Sequence, residues 1–377
     1  MNPRSAERIR NQIERLSGAD LDWVGFTSDA TELIGGAVPF DRCCWHTVDP
    51  GTVLLTGSVN RDISCSGSWL AKHEYVIEDV NKWSFLARSG RLAGATSIAT
   101  HGDVSRSARH RSREGYGIGD ELRGSFVADE IYWGAAAFLR DADKPDFTLD
   151  DVRFLASLSE VLADGLRRSL VHRAPEVEEI APEDGPGIVV LDAQGQAQMV
   201  SPSAEHWIAQ LVEEPAPQVP AESKLVQAVA ARTRSLGDGD DPINGATRVR
   251  VRTRSGAWLV LHGTPLAGGG TQRTAVIIQP AAPHEVAPLV ALAYRLTDRE
   301  CQVVRLCMEG RSTKQIAGAL HVSPYTVQDH LKSVFDKTGV RSRNELVGQI
   351  FLEHYAPRWV DLTAPTGWRA WATPDLD

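Results

Sequence analysis

The stretch LTDRECQVVRLCMEGRSTKQIAGALHVSPYTVQDHLKSVFDKTGVRSRNELVGQIF, from Leu296 to Phe351, decides the fold of the C-terminal end. Thr297 followed three residues later by Glu300 is a capping box, in which each side chain meets the other residue's backbone N–H, so a helix opens here. Val303, Val304, Leu306 and Cys307 form its apolar face, and Gly310 ends it. Ser312 caps a second helix with Ile316, Ala317 and Leu320 turned inward. Ser323 caps a third, with Pro324 at the first helical position, where no N–H is needed. Gly339 closes that helix, and Arg343 to Phe351 reads as a fourth.

Two short helices, a tight connection and a third well-capped helix make a helix-turn-helix pattern, with small Ala317 where the helices approach closely. The third helix turns Val327, Leu331, Val334 and Phe335 inward. That leaves Tyr325, Gln328, Asp329 and Lys332 on the opposite face, a mix of donors and acceptors suited to base edges in a major groove. Thr313, Lys314, Ser323 and Thr326 lie near helix starts, where side chains and backbone N–H groups hold phosphates. The bland alternative is a plain helical bundle with Asp329 on a solvated face.

The segment 296–355 resembles the LuxR-type (GerE-type) helix-turn-helix domain. The matching features are Leu296-Thr297-x-Arg299-Glu300, Gly310 with Lys314-x-Ile316-Ala317, Ser323-Pro324-x-Thr326-Val327, His330, and Lys337 with Gly339-Val340-Arg341-Ser342-Arg343. The resemblance implies that Ser323 to Thr338 is the recognition helix, with Val327 and His330 fixing its register. It also implies a dimerisation helix carrying Leu346, Val347 and Ile350, and hence a homodimer on double-stranded DNA. Asp329 departs from the family, whose members often carry an apolar or basic residue nearby; its carboxylate either accepts from a cytosine amino group or weakens phosphate attraction.

Outward from this segment, 377 residues with 42% apolar and 24% charged side chains are enough for two or three domains with cores of their own. Five cysteines form no spaced framework: Cys43 and Cys44 are adjacent, and Cys65, Cys301 and Cys307 are scattered, which suits a reducing compartment. The N-terminus MNPRSAERIRNQIERL has no apolar core of a signal peptide, and no apolar run reaches the length of a membrane span, so a cytoplasmic protein without a membrane partner is expected. A net charge of −9 argues at first against nucleic acid. The charge is not evenly spread: residues 1–173 carry −4, 174–295 carry −5, 296–355 carry +1 and 356–377 carry −1. The acidity lies outside the helical segment, whose nonspecific DNA affinity should therefore be modest.

Acidic stretches rich in Pro and Gly, Ala174 to Gly187 and Pro280 to Pro288, divide the chain. The expected class is multidomain: an α+β domain at 1–173, a linker at 174–187, a second α+β domain at 188–282, a linker at 283–295, an all-α head of four helices at 296–355, and a tail at 356–377 carrying Trp359, Trp368 and Trp371. In the first domain, Arg8 to Leu16 reads as helix. Arg42–Val48 and Val53–Val59 read as a hairpin around Asp49-Pro50-Gly51, and Leu122–Ala128 and Ile131–Leu139 pair around Asp129-Glu130. Asp150 to His172 reads as one helix whose stripe of Val152, Leu155, Leu158, Leu162 and Leu166 either packs on the sheet or makes a second dimer contact. In the second domain, strands at Gly187–Leu191, Ala197–Val200, Thr247–Thr253, Trp258–His262 and Thr274–Gln279 surround helices at Ala204–Leu211 and Ser223–Ser235.

Neither a P-loop nor a phosphoacceptor cluster is present. Residues 18–172 instead resemble a GAF domain, through Trp133-Gly134-Ala135-Ala136-Ala137-Phe138-Leu139-Arg140 and Phe147-Thr148-x-x-Asp151; the run Gly117 to Arg123 resembles actinobacterial regulators of this arrangement. The second domain resembles a degenerate PAS domain through Val189-Val190-Leu191-Asp192-x-x-Gly195. Both resemblances imply a small-molecule sensor or a dimerisation platform. Trp45, Trp69, Trp83, Phe85, Tyr116 and Trp133 are the candidate ligand pocket, or else fill a core. Arg106 to Arg113 is an anion site or a solvated mobile loop. No cofactor or metal is expected, because no spacing singles out His46, His73 or His101 as a haem ligand. The whole reads as a dimeric, sequence-specific DNA-binding transcription regulator and not an enzyme, governed by a small molecule or partner, with RNA polymerase a further partner if it activates. Two alternatives stay open: a thiol redox sensor or methionine sulfoxide reductase-like enzyme using Cys43, Cys44 and Cys65, and a protein-binding module.

Overall fold

The computed structural model describes residues 3–172, 185–236, 247–266 and 272–354, with side chains from 6 to 348 within these stretches. Most of the linker at 174–187 and the tail at 356–377, with its three tryptophans, lie outside the described residues. The rest falls into two compact units, one combining the chain up to 172 with 186–296, the other beginning at Thr297. No helix among the described residues is long and apolar enough to cross a membrane.

The first unit opens with α1 (Pro3–Ser17) and α2 (Trp23–Gly35), followed by the hairpin β1 (Arg42–Asp49) and β2 (Leu54–Arg61). Short helices α3 (Gly67–Ala71), α4 (Trp83–Ser89), α5 (Thr96–Ala99) and α6 (Ala108–Arg111), with the short strand β3 (Ala93–Ala95), lead to the long hairpin β4 (Ile118–Ala128) and β5 (Ile131–Asp141). Both residues of the β4–β5 turn, Asp129 and Glu130, are left-handed at φ 51° and 63°, the twist that matches a two-residue hairpin. Alternation sorts the side chains. Cys43 and Trp45 join Phe126 and Phe138 under the terminal helices, while Cys44 and Val48 join Leu55, Leu70 and Trp83 on the other face.

The single helix expected over Asp150–His172 is two, α7 (Leu149–Ser157) and α8 (Ser159–Leu170). Just after the break at Leu158, the Ser159 hydroxyl donates to the Ser125 carbonyl at 2.8 Å and accepts from the Val127 N–H at 2.9 Å, tying the start of α8 to β4. Leu155, Leu158, Leu162 and Leu166 are buried in the core and Val152 is half-buried against it, so the stripe packs on the sheet, the first of the two readings.

The second half adds β6 (Gly187–Leu191), β7 (Ala197–Val200), α9 (Pro202–Ala209), β8 (Glu213–Glu214), α10 (Lys224–Leu236), β9 (Arg248–Arg252), β10 (Trp258–Leu266) and β11 (Arg273–Pro280). Its five-stranded sheet runs β7-β6-β11-β10-β9. The six-stranded sheet runs β3-β4-β5-β1-β2-β8, so β8 crosses from the second half to pair in parallel with β2. The arginines that alternate with valine along β9 are stitches. Arg250 grips the buried Asp49 carboxylate through Nη2 at 2.6 Å and Nε at 2.9 Å, and Arg252 donates to the Leu170 and His172 carbonyls at 2.7 and 2.6 Å. Arg248 pairs with Glu285. The stretch expected as a linker at 283–295 is largely a helix, α11 (Pro283–Ala293). Val286, Leu289, Val290 and Ala293 recur at helical spacing and bury in the same core as α1 and α8.

Candidate nucleic-acid interface

The second unit is built from α12 (Asp298–Met308), α13 (Thr313–Leu320), α14 (Pro324–Thr338) and α15 (Arg343–His354). Thr297 and Ser312 each form a capping box, and the Ser323 hydroxyl accepts from the Thr326 N–H at 3.1 Å to start α14. Between α13 and α14 the chain turns within three residues. His321 takes a left-handed conformation and the Val322 N–H returns to the Ala317 carbonyl at 3.0 Å. Val303, Leu306, Cys307, Ile316, Ala317, Val327 and Leu331 close the small core.

This packing leaves Tyr325, Gln328, Asp329 and Lys332 exposed along one stripe of α14, with Tyr325 72% exposed. Lys314 is exposed at the start of α13 and Ser323 at the cap of α14, whereas Thr313 and Thr326 are half-buried. The Ser323 and Thr326 hydroxyls bond each other at 2.9 Å.

Sequence reasoning found Glu300 as a cap and missed its larger role. Its buried carboxylate accepts from Thr297 N–H at 2.7 Å, from the Ser333 hydroxyl at 2.6 Å and from Lys337 Nζ at 2.6 Å, so one acid ties the cap of α12 to the outer half of α14. Burial works to raise its pKa, but the bonds from Lys337, Ser333 and Thr297 outweigh it and hold the carboxyl at about 2. The Thr-x-x-Glu spacing signals the cap; contacts made more than thirty residues later leave no local signal. Arg299 donates to the Leu320 carbonyl at 2.6 Å, and Arg343 to the Cys307 carbonyl at 3.3 Å, fixing α13 and α15 to α12 in the same way.

The profile of the bacterial regulatory proteins of the luxR family matches residues 294–349. The C-terminal head is a LuxR-type helix-turn-helix domain. A Mycobacterium tuberculosis HTH-type transcriptional regulator is 54% identical over 54 residues, which is 14% of this chain and 6% of that protein. The monoamine regulon transcriptional regulator of Klebsiella aerogenes is 39% identical over 79 residues, 18% of this chain and 35% of that protein. The chain thus spans only a small part of the length of these relatives. Among solved structures, the Vibrio cholera VqmA–ligand–DNA complex is aligned over 46% of this chain and 84% of its own at 20% identity, with a TM-score of 0.21.

Within the LuxR-type head, the three residues assigned to a dimer contact part company. Leu346 is fully buried where α15 meets α12 and α14, and so serves the head's own fold; Val347 is half-buried, and the Ile350 side chain lies outside the described ones.

The six aromatic residues assigned to a ligand pocket do not converge. Trp45 and Trp133 are buried in the helix-covered core, and Trp45 Nε1 donates to Thr31 Oγ1 at 2.8 Å. Trp83 is buried on the opposite face of the sheet, with Nε1 on the Ala136 carbonyl at 3.1 Å, and Phe85 is 48% exposed. Strand alternation decides this, together with a bulge that leaves Trp133 opposite no β4 residue. Only Trp69 and Tyr116 share a cleft, of about 480 Å³. Within the Arg106–Arg113 run, Arg106 and Arg111 are exposed, as a solvated loop would have them, while Ser107 and Arg109 are buried around the short helix α6. Arg109 is buried with its Nε 2.6 Å from Glu121 and its backbone N–H on Asp79 at 2.7 Å. Although burial works against ionisation of Glu121, Arg109 and Arg113 hold its carboxyl far below the usual range.

Of the three candidate thiols, Cys43 and Cys44 are buried and Cys65 is half-buried. Burial pushes Cys43 up to about 11 and Cys44 up to about 12, and raises Cys65 as well. Burial likewise lowers His46 to about 3 and His73 to about 4, keeping both imidazoles neutral.

Proposed function

We propose that this chain is a sequence-specific transcription regulator that binds double-stranded DNA as a homodimer in the cytoplasm, with a small molecule or partner at the GAF-like (1–173) and PAS-like (188–282) domains setting its activity. The observation that carries this reading is the exposed stripe of Tyr325, Gln328, Asp329 and Lys332 on a helix clamped from behind by Glu300. A rigid helix with polar side chains on its free face suits insertion in a major groove. Tyr325, Gln328, Asp329 and Lys332 are assigned to bases, and Thr313, Lys314, Ser323 and Thr326 to phosphates. Of the last four, exposed Lys314 is the strongest candidate, because Ser323 and Thr326 spend part of their capacity on each other.

Relatives named as transcriptional regulators support the assignment at the level of the head. RNA polymerase would be a further partner if the protein activates. The burial of Cys43 and Cys44 and their raised thiols weigh against the thiol-sensor and reductase alternatives, although Cys65 is half-buried and lines a cleft. Selection from a random duplex pool tests the proposal: an enriched motif supports it, and recovery of unselected sequence rejects it in favour of a protein-binding module.

A further inference from the structure

We propose that the cleft beside Trp69 is a binding site for a small carboxylic acid with a flat apolar body. The proposal rests on the reading of the N-terminal part as a ligand-governed sensor and names the chemistry of its ligand. At about 480 Å³ the cleft is in the size range of small-molecule sites. Ile63 and Ile118 give it apolar wall, and Tyr116, 67% exposed, stands at its edge with a ring available for stacking.

Its polar side is rich in donors. Arg113 lines the cleft with its side chain 12% exposed, and one nitrogen, Nη1, reaches Glu121 at 3.2 Å. Glu121 is shared with Arg109 at 2.6 Å, so it does not saturate a guanidinium that has five N–H groups to give. The remaining fork matches the two oxygens of a carboxylate. The Arg113 guanidinium sits 4.2 Å from the Trp69 ring centroid, which holds its plane, and Trp69 is itself fixed by Nε1 on Ser112 Oγ at 3.0 Å. Arg42, paired with Asp141 at 2.8 Å, donates to the Tyr116 carbonyl at 3.2 Å and so holds the loop carrying the aromatic edge. The acid lining the cleft, Asp62, is 72% exposed and lies 3.8 Å from Arg61. The position also suits an input. Next to Trp69 on α3, Ser68 gives its N–H and hydroxyl to Glu222 Oε2 at 3.1 and 2.8 Å, so a ligand that shifts Trp69 pulls directly on the second α+β half.

The test uses the full chain with benzoate, phenylacetate and 4-hydroxybenzoate, and with benzamide as the neutral counterpart, read by saturation-transfer NMR and calorimetry. The expected result is carboxylate binding at millimolar concentration or tighter, with benzamide about tenfold weaker. Arg113→Gln and Tyr116→Ala should each weaken benzoate by about tenfold; Tyr116→Ala, at an exposed side chain, should leave the melting temperature unchanged. Failure of all three carboxylates to bind, equal binding of benzamide, or binding untouched by both variants overturns the site. Selective DNA binding by the same samples tests the regulator reading separately. Its presence without carboxylate binding overturns the site alone, and its absence with carboxylate binding intact leaves the site standing.

Discussion

Replacing Glu300 by Gln keeps the size of the side chain and removes the charge on which three donors converge. The carboxyl stands at about 2 in the folded head against an ordinary 4.5. At roughly 1.4 kcal/mol per unit, and allowing for partial exposure of Lys337, the ionised clamp is worth about 2–3 kcal/mol at neutral pH. Because the folded value is depressed, this stability is fully present above about 4.5 and is lost as pH falls through about 2. Amide hydrogen exchange on the full chain reads it locally. In Glu300→Gln, the amides of α14 near Ser333 and Lys337 should lose about 30- to 150-fold of their protection at pH 7. Wild type should lose the same increment on acidification, while the variant should not. Protection within about threefold of wild type, or an identical pH dependence in the two proteins, would refute the clamp.

Other outcomes follow from the same geometry. Lys332→Ala should cost about 1–3 kcal/mol of discrimination at one base position, measured against single-base variants of the selected site; a uniform loss across sequences would move the residue to the phosphate class. Lys314→Ala should weaken all sequences alike and reduce the slope of log affinity against log salt by about 0.9, and an unchanged slope would remove it from the backbone contacts. Arg250→Ala leaves the buried Asp49 carboxylate without its guanidinium and should destabilise the first unit by about 3–5 kcal/mol in thermal unfolding of the full chain. Arg250→Lys, which cannot grip both oxygens, should recover only part of that.

Local chemistry was legible in the sequence, and contacts between distant segments were not. Thr297, Ser312, Ser323, Gly310 and Gly339 set the ends of the head's helices through bonds or backbone angles made within a few residues, so the outward stripe of α14 is legible in the sequence. The alternation along β9 announced a strand, but the destinations of Arg248, Arg250 and Arg252 depend on where β1, α8 and α11 arrive. The helix Pro283–Ala293 is masked in the sequence because its prolines and neighbouring alanines resemble a linker, although its apolar spacing is helical. The aromatic residues misled for a related reason. Trp45 and Trp83 are both buried, yet they lie on opposite faces of one sheet, and composition carries no information about faces.

If α14 is the recognition helix, its free face reads DNA sequence. Selection of duplexes from a random pool by the full chain, repeated with Lys332→Ala, tests it most directly. The expected result is a two-fold symmetric motif with half-sites about one helical turn apart, and an altered preference at matching positions in the variant. Enrichment of no motif, or the same motif and affinity in both proteins, would contradict it.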